Sequence, residues 1–206
     1  RHGFLALKNN GPTGADYFRD VDWSQSKAYA VGFGGIYINQ AGREAQGIVA
    51  PGEETARVKH EISEGLRQLY DDKEETHPVR AVYDSSQVYS GPYVDEAPDL
   101  IVGFRPGHRV GWSSVTGGIS EDEIEDNTRP WSGDHNFNPP DVPGMLFVNR
   151  KLDATDPSIM DIGPTVLDLF GVPVPPYCDG ESLMPAVPPR TQKAVAEPAA
   201  RQAEVQ

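Results

Sequence analysis

The clearest periodicity in the chain lies in residues 53–70, where Val58, Ile62, Leu66, Leu69 and Tyr70 recur at steps of four, four, three and one. That spacing gathers them on one face of an α-helix, and Glu53 and Glu54 fall in its first turn, where the positive end of the helix dipole favours acids. Other segments carry the period of a strand. Residues 27–39 (KAYAVGFGGIYIN) place apolar residues on both sides of Gly34-Gly35 and predict two short strands joined by a glycine turn. Residues 79–83 alternate, and the run 98–104 (PDLIVGF) has the composition of a strand covered on both faces. Residues 145–148 (MLFV) predict another apolar strand. Ile162, Val166, Leu169 and Phe170 then form a helical stripe, with Asp161 as N-cap, Gly171 as its stop and Pro173 just beyond.

The segments between these elements are polar. Residues 9–22 are rich in Asn, Gly, Pro, Thr and Asp and read as loop. Residues 107–140 show no clear periodicity and include an acidic run at 121–126, but Trp112 and Trp131 predict that this long connection is packed. From residue 186 onward aromatic residues and periodicity both disappear, which predicts a flexible tail over 186–206. Strands alternating with helices give an α/β layered fold over residues 1–185, with no internal repeat.

Composition narrows the partners more than the fold. A chain of 206 residues that is 37% hydrophobic has enough apolar sequence for one sizeable core, so one globular unit is expected. A formal charge of −13 argues against nucleic acid or an anionic membrane surface as partner. It leaves a small phosphoester substrate open, because a bound divalent ion can outweigh nearby carboxylates. Cys178 is the single cysteine, which excludes an internal disulfide and a thiolate-built metal site. No apolar run approaches the roughly 18 to 20 residues of a transmembrane helix. The first residue is Arg, which suggests a processed chain or a fragment.

Five histidines are the candidates for chemistry. His60 and His77 read as solvated, and His108, beside Arg109, reads as loop structure within reach of an anionic substrate. His2 and His135 stand apart because each has glycine close by and strand-like sequence near it, in His2-Gly3-Phe4 and Gly133-Asp134-His135. A neutral imidazole is a common zinc ligand, and glycine lets the backbone approach a crowded ion. Gly32-Phe33-Gly34-Gly35 lacks the lysine and following helix of a phosphate loop and reads as a hairpin turn. The acidic run lacks the spacing of a calcium loop, and residues 161–165 (DIGPT) read as the start of the last helix.

Taken in order, HGF, PYVDEAPDLIVGF, WSGDH, VPGMLFVNR and DIGPTVLDLFGVPVPPYCDGESL resemble the C-terminal half of the catalytic domain of the alkaline phosphatase superfamily, in its type I phosphodiesterase and nucleotide pyrophosphatase branch. The resemblance covers roughly residues 1 to 185. It implies an alkaline phosphatase-like α/β/α layered sheet, present as a partial domain, and a metal-dependent hydrolase of phosphodiesters or nucleotide pyrophosphates. It further implies two divalent ions, most naturally zinc, with His2 and His135 each a ligand and Asp134 orienting its neighbours. In that family an aspartate precedes the first histidine, where this chain has Arg1, and the nucleophile and remaining ligands lie upstream of the motif. This chain alone is therefore expected to be inactive. The alternatives are a phosphomutase or sulfatase-like relative, or a binding module that has lost its metals.

Overall fold

The structure is a computed structural model, and it describes residues 3–8, 11–131, 133, 136–152 and 154–185. The chain is mixed α/β. Its strands β1 (Ala28–Val31), β2 (Gly35–Ile38), β3 (Val79–Asp84) and β4 (Leu100–Phe104) form one sheet in the order β1-β2-β4-β3, antiparallel throughout. The helices are α1 (Glu53–Gln68), the short α2 (Ser85–Val88) and α3 (Ile162–Leu169). The chain divides into two compact units, Arg1–Pro143 and Gly144–Gln206, where one globular unit was expected.

The hairpin forms as the glycine-turn pattern predicts. Gly32, Phe33 and Gly34 connect β1 to β2, and Gly34 has φ +99° while an added Cβ would lie 3.2 Å from the carbonyl oxygen of Val102, so a side chain there would be strained by the backbone and crowded by its neighbour. Helix α1 buries Val58 and Ile62 against Ala28, Ile38, Val49 and Leu100, with Leu66 and Val82 packed at the margin. The helix stops at Gln68, short of the predicted end. Leu69 and Tyr70 lie past it, where the Leu69 carbonyl meets His77 Nδ1 at 2.8 Å and Tyr70 is half exposed.

Strand β4 is covered unevenly: Leu100, Val102 and Gly103 are buried, whereas Ile101 and Phe104 are half-buried. On the face away from α1, Phe18, Trp23, Tyr29 and Tyr37 pack ring to ring at centroid distances of 5.3 to 5.5 Å. Burial pushes the Tyr29 phenol up to about 12, with Glu44 adding to the effect.

The second unit departs from the sequence pattern in two places. Residues 145–148 form no strand and are exposed, Met145 and Phe147 at 85% and 86%. An apolar run becomes a strand only where a neighbour accepts its backbone hydrogen bonds, and none of the described strands pairs with it. Helix α3 occupies the predicted residues, but its stripe faces solvent, with Phe170 81% exposed, while Pro164 and Thr165 are the buried positions.

Asp161 occupies the N-cap position without capping α3. Its carboxylate accepts from the amides of Ser158 and Glu181 at 2.8 and 2.9 Å, which holds it below the usual carboxylate range. The predicted stop at Gly171 does form. With φ +67° it lets its own amide bond to Asp168 and that of Val172 bond to Leu167, satisfying the last carbonyls of the helix.

Candidate functional site

His2 and His135, with Arg1, Ser132 and Asp134, lie outside the described residues, so the structure speaks to their flanks. On the first flank, the Phe4 carbonyl accepts from the amides of Lys27 and Ala28 at 2.7 and 3.0 Å, and its ring packs on the core beside Ala28. Phe4 is thus tied to the beginning of β1.

On the second flank, Asn138 is 2% exposed. Its Oδ1 accepts from the Tyr83 hydroxyl at 2.6 Å and its Nδ2 donates to Asp141 at 3.0 Å, while Asp141 pairs with Arg80 at 2.7 Å. Asn138 fits only because residue 103 is glycine, where a Cβ would stand 2.5 Å from Oδ1. Gly103 alternates with Leu100 and Val102, so Asn138 lies on the sheet face opposite α1.

The register measures the gap between the two anchors. Ala28 pairs with Ile38 and Ile36 with Leu100, which sets Ala28 five residues along the strand axis and two strands across from Gly103. At ~3.3 Å per residue and ~4.8 Å per strand this is about 19 Å.

Trp131 and Gly133, the described positions of this stretch, are each held through the backbone carbonyl. Asn127 Nδ2 donates to the Trp131 carbonyl at 2.8 Å, and Arg109 Nη1 donates to the Gly133 carbonyl at 3.3 Å. Arg109 in turn lies with Cζ 4.3 Å above the Trp112 ring, and the Arg129 guanidinium is 6.0 Å from the same ring. The packing expected of the two tryptophans is present at Trp112, whereas Trp131 is 77% exposed.

The remaining histidines are placed as follows. His60 is exposed on α1, and His77 is exposed and closes the turn after that helix. The ring of His108 is occupied by protein, with Nε2 3.0 Å from Asp71 Oδ2. Asp71 also accepts from the amides of Lys73 and Glu74, and the His108 contact first, then the Glu74 amide, hold its carboxyl below the usual range. His108 Nδ1 is buried with no partner. The acidic run at 121–126 is largely exposed, and its Asp126 pairs with Lys73 at 2.5 Å.

A cleft of about 520 Å³ lies where the loop after β2 meets α1, β3 and β4. Both of its basic groups are paired. Arg43 grips Asp99 with Nη1 at 3.1 Å and Nη2 at 2.6 Å, and Lys59 Nζ lies 2.5 Å from Asp84. Burial works against the Asp84 carboxylate, but Lys59 and Ser86 more than offset it and hold its pKa low. Two of its three carboxylates are thus tied to its basic groups, while Asp95 at its rim is exposed.

Sequence patterns pointed to neither the His108–Asp71 pair nor the Asn138 anchor. Their partners stand 37 and 55 positions away in the chain, beyond any local spacing. Among the described residues no group of three or more His, Cys, Asp or Glu side chains is placed to hold a metal ion, and no helix is long and apolar enough to cross a membrane. A scan of protein-family models, a search of curated proteins and a search of solved structures each find no match.

Proposed function

We propose that this chain is the C-terminal portion of the catalytic domain of a metal-dependent phosphoesterase, an alkaline phosphatase-like α/β/α layer of the type I phosphodiesterase and nucleotide pyrophosphatase branch. One observation carries the reading. HGF, PDLIVGF, WSGDH, VPGMLFVNR and DIGPTVLDLFGVPVPPYCDGESL occur in that order along a single chain. The donor chemistry agrees with it, since two neutral imidazoles, His2 and His135, suit zinc, and the ligands still lacking are carboxylates and imidazoles that the family draws from upstream.

In this reading His135 and His2 each hold one ion, and Asp134 orients the turn. Two divalent ions, when bound, supply electrostatic stabilisation of the attacking and leaving oxygens of an in-line displacement. The substrate is a small phosphodiester or a nucleotide pyrophosphate, and a phosphomutase or sulfatase-like relative would use the same ligands. Arg1 favours a second reading, a binding module without metals, because a guanidinium stands where the family has a ligating aspartate.

The test is His135→Ala in the full-length protein. It is expected to remove most hydrolysis of a chromogenic phosphodiester together with about one equivalent of zinc. Unchanged zinc content would overturn the assignment. The purified 206-residue chain is expected to give no turnover, and measurable hydrolysis by it would contradict the placement of the nucleophile upstream.

A further inference from the structure

Strand β2 pairs with β4 only at Gly35–Ile101 and Ile36–Leu100, while β4 runs on to Phe104. Past that pairing the hairpin closes, and a cavity of about 170 Å³ lies beside Ile101, Val102 and Phe104. Its other walls are Phe33 in the hairpin turn, Val110 in the loop after β4, and the segment Asn136-Phe137. Among the described residues that line it, Asn136 alone has a polar side chain and none is charged.

Hydrogen bonds beside each wall hold it in place. The Gly34 carbonyl accepts from the Val102 amide at 2.9 Å, which fastens the hairpin turn to β4. The Gly32 amide donates to the Ser114 carbonyl at 3.0 Å, and the Ser114 hydroxyl lies 2.8 Å from the carbonyl oxygens of both Gly32 and Gly111, sharing its proton between them. One serine thereby ties together the residues next to Phe33 and Val110. Phe137 directly precedes Asn138, which is buried and bonded to Tyr83 and Asp141. Phe33 and Phe137 are themselves about half exposed, so the cavity has an apolar rim. Walls fixed in advance leave little to be ordered when a ligand enters.

Independently of the phosphoesterase reading, we propose that this cavity binds one uncharged aromatic ring of a small molecule. An apolar cavity of ~150 Å³ stays dry and takes up a single benzene ring, so the volume suits one ring. An ionic group placed there would lose its hydration and find no opposite charge on the walls. Phenylalanine rings from three segments favour an aromatic guest over an aliphatic one of similar size, because aromatic rings attract one another edge to face beyond the area they bury.

The experiment titrates toluene into the 206-residue chain and follows amide NMR shifts. Saturable shifts are expected at residues 33, 101–104, 110 and 137, and methylcyclohexane should bind more weakly. Val110→Phe, which puts a ring of the protein's own into the space, should abolish binding, and Phe33→Ala should weaken it roughly tenfold. The absence of saturable shifts at these residues in the native chain overturns the proposal. Native toluene affinity in Val110→Phe, or methylcyclohexane binding as tightly as toluene, does the same. Should Val110→Phe fail to fold, Phe33→Ala decides, because its side chain is half exposed in a turn: unchanged toluene affinity in that variant overturns the assignment.

Discussion

Asn39 is 1% exposed, and its side-chain amide is shared among the carbonyls of Trp23, Ser26 and Gln46 at 3.2, 2.8 and 3.0 Å. Its own carbonyl accepts from the amides of Ile48 and Val49. One residue thus joins the approach to β1 to the connection that leads into α1. Replacing it by alanine leaves the buried Ser26 carbonyl without its partner, at a cost of about 1–3 kcal/mol. Asn39→Asp should cost more than Asn39→Ala, because a carboxylate would face three carbonyl oxygens with nothing to donate. Urea denaturation of the two variants measures the order, and an aspartate variant as stable as the native chain would refute it. Nothing local in the sequence marks Asn39 or Asn138 as buried, since an asparagine after a strand or before a proline reads equally well as a turn residue.

Among the elements, α1 and α3 carry similar apolar stripes and differ in what covers them. Ile62 is 6% exposed in the α1 core, whereas Val166 of α3 is 45% exposed. Ile62→Ala should therefore cost about 2–5 kcal/mol, while Val166→Ser should stay within about 0.5 kcal/mol. Thermal unfolding of this chain compares them directly, and a large loss from Val166→Ser would mean that α3 is covered after all. The same contrast explains how far the sequence could be read. The hairpin, β3, β4 and α1 were legible because each finds its apolar partners within residues 28–104, and period alone then sets which face turns inward. For α3 and residues 145–148 the period correctly marks an apolar face, but it cannot say whether anything stands opposite. The candidate histidines His2 and His135 lie outside the described residues, and the stacking of Arg109 over Trp112 gave no signal in the sequence pattern.

Across the whole molecule, carboxylates tie loops together in both units. Asp20 accepts from the Thr13 amide at 2.8 Å and from the Thr13 hydroxyl, and these bonds hold its carboxyl below the usual range, as the Ser158 and Glu181 amides do for Asp161. A depressed folded pKa means that the unfolded chain takes up the proton first. The stability these groups supply is present above the ordinary carboxylate pKa of about 4 and is lost as pH falls through the folded values. Melting temperatures should be steady from neutral pH down to that range and then drop. Asp20→Asn should lower stability at neutral pH and shrink the acid-induced drop, and a drop of unchanged size in that variant would remove Asp20 from the account. The three tryptophans give the molecule a further property. Trp23 sits half-buried and edge-on to Phe18 and Tyr29, Trp112 lies under a guanidinium, and Trp131 projects into solvent two residues before Gly133. The chain therefore carries three intrinsic fluorophores in distinct surroundings, and quenching by iodide falls first on Trp131, the one joined to the candidate turn.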